Sequence, residues 1–222
     1  MKKTVKKGLI ISAIVAVIVG IIYLAIPKND HPVNADSIIE ASEETGMIGE
    51  KIVGNPNEAV LIIYEYADFG CSHCAEWNKK INDLLKEYDG KIALIFRSYN
   101  LGFKNSALSA RAATAAQIQG YFKEYKDLLF TNQAEWYYEE GAKLNELFVN
   151  YFKEASNNKG DVNKFQEDMK SDAVKKRLKF EQKLGKAVNL AGTPTFRING
   201  EAVALSDLIN TIEHSVNKNG GA

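Results

Sequence analysis

The sequence predicts an α/β domain that carries an inserted helical subdomain and is preceded by an N-terminal transmembrane helix. Three observations predict it. Gly8–Ile26 is an apolar run without a charge. Two strand-like segments flank a helical one further on, giving a β-α-β unit. A long stretch of helical periodicity then separates that unit from a β-β-α ending. With 45% hydrophobic and 25% charged residues, the 222-residue composition is that of an ordinary globular protein. It excludes a disordered, collagen-like or coiled-coil chain.

The apolar run is 19 residues long, which as a helix spans about 28 Å, close to the apolar thickness of a bilayer. Lys2, Lys3, Lys6 and Lys7 precede it and Lys28 follows, with no acid among residues 1–28. The lysine-rich end is expected in the cytoplasm and everything after Pro27 outside. The competing reading is a cleaved signal peptide, whose apolar region is usually about 7–15 residues and ends in a small-x-small site. The run here is longer, and Ala25-Ile26-Pro27 is a poor cleavage site. No cysteine follows it closely, so it is not a lipoprotein signal. The net charge of zero therefore divides into +5 on residues 1–28 and −5 on the rest, which holds 23 basic and 28 acidic residues. A body of that balance is not built to coat nucleic acid.

Residues 29–50 read as a polar linker followed by a short helix. In that helix Asp36 or Ser37 is the expected cap, Ile38 and Ile39 give apolar contacts, and the end falls near Thr45. Residues 51–222 read as one domain. Lys51–Val53 and Ala59–Tyr66 are extended segments around a Gly54-Asn55-Pro56-Asn57 turn. The run AVLIIYEY is rich in β-branched and aromatic residues and too apolar for an edge, so it is expected to be a central strand. From Cys74 the periodicity is helical, with Trp77, Ile81, Leu84, Leu85 and Tyr88 on one face, and Asp89-Gly90 ends it. Lys91–Arg97 is a second buried strand, paired in parallel with the first.

The helical insertion covers about residues 103–190. An alanine-rich segment spans Ser106–Gln119. Apolar stripes follow at Phe122/Tyr125/Leu129, Leu144/Leu147/Phe148/Tyr151/Phe152, Val162/Phe165/Met169 and Val174/Leu178. These are expected to be core rather than a cofactor pocket. Thr195–Ile198 and Glu201–Ala204 then flank Asn199-Gly200, a hairpin signal because both turn positions favour φ > 0. Ser206 is the expected cap of a last helix with Leu208, Ile209, Ile212 and Val216 inside.

The chemistry is expected at Cys71-Ser72-His73-Cys74, which holds both cysteines of the chain. The spacing brings two sulfurs close enough to bond, between a buried strand and the first turn of a helix. Free N–H groups and the positive end of the helix dipole favour a thiolate there, and His73 adds a possible donor or charge. A stabilised thiolate is a good leaving group, so its disulfide oxidises other thiols. Two bland alternatives exist. The cysteines would be half of a zinc site only with His31, His73 or His214, which are scattered in sequence. A structural disulfide across so small a loop would be strained. Thr193-Pro194 is a second signal, because a proline that opens a strand has no N–H to give to a ladder. It reads either as a turn or as a cis peptide facing the cysteine pair.

Taken together, the strand–Cys71-Ser72-His73-Cys74–helix unit, the helical insertion and Thr193-Pro194 resemble the DsbA-like branch of the thioredoxin superfamily over about residues 50–217. The membrane-anchored bacterial oxidoreductases are the nearest type. The resemblance implies a thioredoxin-like fold, with Cys71 as the exposed attacking cysteine and Cys74 as the resolving one. It implies that Ser72 and His73 tune the potential, that Pro194 is the cis-proline, and that Thr193 contacts substrate backbone. Glu65 stands where such proteins carry an acid beneath the site and is a candidate proton acceptor for Cys74; the alternative is an ordinary strand-end carboxylate paired with a lysine. Ser72 departs from the family's proline, which leaves the loop less rigid. Tyr66, Phe69 and Trp77 near the site are candidates to line an apolar groove, but for Trp77 core packing is the expected role and the groove the alternative.

The function so implied is an extracytoplasmic, membrane-anchored protein disulfide oxidoreductase. It donates a disulfide to folding proteins through a mixed disulfide at Cys71. No metal or organic cofactor is expected beyond the Cys71–Cys74 pair. Expected partners are cysteine-bearing unfolded or partly folded proteins and a membrane re-oxidising protein, and the chain is expected to be a monomer. The alternatives are a reductase or isomerase kept reduced by a membrane electron carrier, and a chaperone or metal-delivery module.

Overall fold

The computed structural model describes residues 34–219. The expected anchor at Gly8–Ile26 and the first part of the linker lie outside the described residues. Among the described residues no helix is long and apolar enough to cross a membrane.

The strands are β1 (Lys51–Val53), β2 (Leu61–Ala67), β3 (Ile92–Ser98), β4 (Thr195–Ile198) and β5 (Glu201–Val203). They form one sheet in the order β1-β3-β2-β4-β5. β2 and β3 pair in parallel, and the remaining pairs are antiparallel. The β-branched run therefore takes the centre of the sheet, as its composition requires. β3 is buried along its whole length. Asn199 and Gly200 both have positive φ, at 51° and 86°, and close the β4–β5 hairpin.

Helix α1 (Ser72–Glu87) follows β2 and buries Trp77, Ile81 and Leu84. The insertion comprises α2 (Ser106–Ile118), α3 (Phe122–Thr131), α4 (Gln133–Trp136), α5 (Gly141–Ala155), α6 (Val162–Asp168) and α7 (Asp172–Ala187). Asp161 and Ser171 cap α6 and α7 by accepting from Lys164 N and Val174 N, so these starts follow the usual capping chemistry. Phe152 stacks on Phe165 at 4.2 Å, and the fully buried Trp136 donates to Leu129 O at 2.8 Å. This aromatic core is continuous with that under the sheet through Phe96, which meets Phe122 at 5.3 Å and Phe69, also at 5.3 Å. The insertion therefore shares the sheet's apolar core. Helix α8 (Leu208–Asn219) closes the fold with Leu208, Ile212 and Val216 inside.

Three expectations are corrected. Residues 36–45 make turns and extended chain with no helix. The Asp36 carboxylate receives the Arg197 guanidinium at 2.8 and 2.9 Å, and Ser37 O accepts from Arg97 at 2.7 Å, so these groups tie the segment to the sheet. Ser206 does not cap α8. Its hydroxyl bonds the Asp207 carboxylate, and Asp207 O accepts the first helical bond, from Thr211 N at 2.8 Å. Ile209 is 37% exposed, because it falls off the buried face.

On the other side of the sheet, Glu50, Lys51, Arg97, Arg177 and Glu181 form a charge cluster whose side chains are fully buried. Lys51 meets Glu181 at 2.5 Å, Arg97 meets Glu50 at 2.6 Å, and Arg177 joins both acids. Burial alone would raise the Glu181 carboxyl, yet Lys51 and Arg177 hold it below its ordinary value. Lys51 moves the other way for a cation: burial pushes it down, Arg177 adds to that, and Glu181 opposes it. Burial opposes the charge on both: at Glu181 the two cations outweigh it, whereas at Lys51 it prevails over the attraction of Glu181. The cluster pins β1, β3, α7 and the segment before β1 together.

Candidate active site

The loop between β2 and α1 is held at nearly every polar atom. Asp68 O accepts from Cys71 N at 3.0 Å. The Asp68 carboxylate, 2% exposed, accepts from Gly70 N at 2.8 Å and from Leu101 N at 2.7 Å. A side chain at Gly70 would sit 2.6 Å from Ser106 Oγ and 2.7 Å from Phe103 Cβ, so glycine is required by close packing rather than by φ. Gln133, at the start of α4, donates to Phe69 O at 2.6 Å and to Cys71 O at 3.1 Å. This bolts the insertion to the loop.

Cys71 occupies the N-cap position of α1 and Cys74 its first turn. Both sulfurs are free thiols, so the structure is that of the dithiol form. Cys71 is 7% exposed and Cys74 is 0% exposed. The sequence suggests an exposed first cysteine; the structure instead recesses it between the helix tip and the Thr193 loop. Ser72 and His73 are exposed beside it.

The Thr193–Pro194 peptide is cis and stands against the cysteine pair. Cys71 Sγ donates to Thr193 O at 3.4 Å. Thr193 Oγ1 is buried and has no hydrogen-bond partner. Burial pushes the Cys74 thiol far up. The Asp68 backbone N–H and the Thr193 hydroxyl work against that rise, while the charges of Cys71 and Glu65 add to it.

Glu65 lies in the middle of β2, opposite Phe96 on one side and Phe196 on the other. It is 1% exposed, and its Oε1 has no hydrogen-bond partner. Burial pushes its carboxyl up to about 7, with Lys126 opposing and Asp127 adding. The alternative of a strand-end carboxylate paired with a lysine is not what forms. Lys126, on α3, is buried and bonded to Asn78 on α1 and, at 2.8 Å, to Asp127. It reaches Glu65 only through its field.

A hollow of about 520 Å³ opens beside the pair, and Cys71, His73, Phe103, Gln133, Tyr137 and Tyr138 are among its walls. Phe103 and Tyr138 are 41% and 76% exposed. The candidate groove residues Tyr66 and Phe69 are instead buried, at 0% and 1% exposure, and Trp77, 8% exposed, takes the core role expected of it. Trp77 packs on Phe196 at 5.7 Å, because alternation on β2 and the helical period on α1 turn these rings inward. Asp68, Phe103, Gln133 and Tyr138 are the site residues that sequence reasoning missed. For Asp68 the available signal was a carboxylate two residues before a glycine in the turn. For the others it was only their place in the connections of the insertion. Among the described residues no three His, Cys, Asp or Glu side chains are grouped to hold a metal.

A cysteine pair that opens a helix after a central strand, facing a cis-proline, defines a DsbA-like protein disulfide oxidoreductase. The chain belongs to the thioredoxin family, whose model, described as Thioredoxin, matches residues 47–218. It is 26% identical over 207 residues to the "Probable disulfide bond formation protein D" of Bacillus anthracis, covering 89% of this chain and 88% of that one. The fold is similar to that of BdbD from Bacillus subtilis, solved in its oxidised form, with a TM-score of 0.65 at 18% identity, covering 81% of this chain and 97% of that one. It is also similar to the thiol-disulfide exchange protein alpha-DsbA2 from Wolbachia pipientis, with a TM-score of 0.63 at 20% identity over 76% of this chain and 86% of the other.

Proposed function

We propose that this protein is an extracytoplasmic, membrane-anchored oxidase of protein thiols. The observation that carries the reading is the asymmetry of the pair: Cys71 opens onto the hollow, and Cys74 is sealed behind it. In the oxidised protein, a thiolate of a folding protein attacks Cys71 Sγ. The Cys71–Cys74 bond breaks, Cys74 leaves as a thiolate, and a mixed disulfide forms. A second thiolate of the same client then attacks the client sulfur of that bond. Cys71 leaves, the client gains a disulfide, and the pair becomes the dithiol seen here. Two electrons pass from the client to the pair in the cycle.

Each residue has a part. Glu65, neutral below about pH 7, supplies a proton to the Cys74 thiolate and takes it back on re-oxidation. Ser72 and His73 tune the stability of the Cys71 thiolate. Thr193 meets client backbone and Pro194 shapes that loop. Client chain on one side of the bonded cysteine crosses the hollow between Phe103 and Tyr138. The cysteine pair is the only redox centre the reaction calls for, with no metal or organic cofactor. A membrane protein that passes electrons onward re-oxidises the pair. The lysine asymmetry about Gly8–Ile26 supports a cytoplasmic N-terminus and a catalytic domain outside, acting as a monomer. Alkylation trapping of the two cysteines in intact cells tests the reading. An oxidase is found mainly disulfide-bonded; a pair found mainly as free thiols would make this a reductase or isomerase.

A further inference from the structure

We propose that Gln133 is a client-binding residue: its amide nitrogen grips the cysteine loop, and its amide oxygen, Oε1, accepts a backbone N–H from the extended client chain that crosses the hollow. The inference deepens the thiol-exchange reading above and rests on it. Gln133 opens α4, is half-buried, and is one of the walls of the hollow beside Cys71. Its Nε2 donates to Phe69 O at 2.6 Å and to Cys71 O at 3.1 Å. Two carbonyls on one side settle which end of the amide is nitrogen, because an oxygen there would face them acceptor to acceptor. The oxygen therefore lies at the other end, away from the loop. Among the described residues no donor reaches Oε1, and it is not one of the acceptors sealed from solvent. It is a free acceptor in the wall of the hollow.

The client supplies the need for it. Phe103 and Tyr138 offer apolar surface at the rim, and a chain that lies on them takes its own backbone N–H groups out of water. An N–H covered in this way requires an acceptor. Gln133 presents one already fixed, since an amide whose nitrogen spans two carbonyls is not free to turn, and an acceptor fixed in advance loses little freedom on binding. A client N–H on Oε1 also polarises the amide and strengthens its hold on Cys71 O. The contact reads backbone and not side chain, which suits a protein that takes many unfolded chains.

The test uses the oxidised full chain, wild type, Q133M and Q133K, and a short peptide carrying one cysteine. In a set of otherwise identical peptides, each backbone N–H flanking that cysteine is replaced in turn by an ester oxygen. The rate of mixed-disulfide formation with each ester is taken as a ratio to that of the parent peptide on the same variant. A changed potential or a loosened loop acts on parent and ester alike and cancels in the ratio. Q133M removes both ends of the amide; Q133K keeps N–H groups for the two carbonyls and removes the acceptor. On wild type, one ester is expected to react about 2–10-fold more slowly than the parent, the worth of one neutral hydrogen bond. On Q133M and on Q133K that ratio is expected to return to about one. No ester penalty at any position would overturn the inference. So would a penalty that persists in Q133K, because the N–H then meets another acceptor. Should circular dichroism show Q133M unfolded, Q133K decides. A wild type that forms no mixed disulfide with the parent peptide would instead sink the exchange reading, and the inference with it.

Discussion

The thiol of Cys71 donates to the backbone carbonyl of Thr193 at 3.4 Å, across 122 residues of sequence. In the dithiol form, that bond occupies a carbonyl on the loop expected to meet client backbone. In a disulfide the sulfur has no hydrogen to give, and the carbonyl is released to an incoming N–H. Under the function proposed above, the same contact would favour client entry when the pair is oxidised and client departure when it is reduced.

Cys74→Ser is expected to trap covalent complexes with client proteins, and Cys71→Ser none. With Cys74 absent, nothing inside the protein resolves the bond at Cys71. In Cys71→Ser the remaining sulfur is fully buried. Non-reducing gels of tagged variants give the answer, and equal adducts from both would reverse the assignment of roles.

Glu65→Gln is expected to stabilise the protein at alkaline but not at acid pH. The folded carboxyl titrates at about 7 against 4.5 for the ordinary group, so folding takes up a proton between those values. Stability falls as pH rises above 4.5, and the whole cost, on the order of 3 kcal/mol, is reached above about 7. Urea midpoints of the variant and wild type should coincide near pH 4 and diverge by pH 8. By the role proposed for Glu65, the same substitution should slow exchange near pH 7. Coincident curves at both pH values would show that the fold does not raise the Glu65 carboxyl above its ordinary value.

Arg177→Met is expected to destabilise by about 1–3 kcal/mol, the usual cost of leaving buried acceptors without a donor, because Lys51 and Arg97 still neutralise Glu181 and Glu50. Arg177 serves Glu50 and Glu181 together, donating to Glu181 at 2.8 Å. A domain's whole stability is about 5–15 kcal/mol, so the variant should unfold at visibly lower denaturant but stay folded. Chemical denaturation measures it; a loss below about 1 kcal/mol would mean that the cluster relaxes around the gap.

Phe103→Ser with Tyr138→Ser is expected to weaken reaction with cysteine peptides that carry an aromatic neighbour, raising KM by about 2–10-fold per lost ring contact. Reaction with glutathione should be unchanged, since its small chain reaches Cys71 without crossing the hollow. Parallel kinetics on both thiols decide it, and equal losses on the two would remove the hollow from client binding.

Much of this molecule was legible in the sequence, and physics explains which parts. β2 was placed centrally because a run so apolar cannot be an edge, and the hairpin at Asn199-Gly200 was readable because few residue pairs accept two positive φ values. Cys71-Ser72-His73-Cys74 and Thr193-Pro194 were readable for the same reason: their chemistry is local. The failures are long-range. Asp36 and Ser37 look like caps, but Arg97 and Arg197 lie 60 and 161 residues away in sequence and claim them for the sheet. Tyr66 and Phe69 look like groove aromatics because proximity in sequence says nothing of facing. Gln133 reaches Cys71 O from 62 residues away, and no periodicity marks it.

Lys126 and Gln133 belong to the insertion, yet one anchors under α1 at Asn78 and the other grips the cysteine loop itself. A graft of Cys71-Ser72-His73-Cys74 onto a bare thioredoxin scaffold would carry the sulfurs without their foundation. The field on Glu65 would lose Lys126, the cation that opposes its rise, and the loop would lose the amide that spans two of its carbonyls. The reverse also holds: shortening α3 or α4 to make a minimal enzyme would detune the chemistry even with every residue of the four-residue motif intact. Redox character here is inherited with the helical lobe and does not travel with the motif alone.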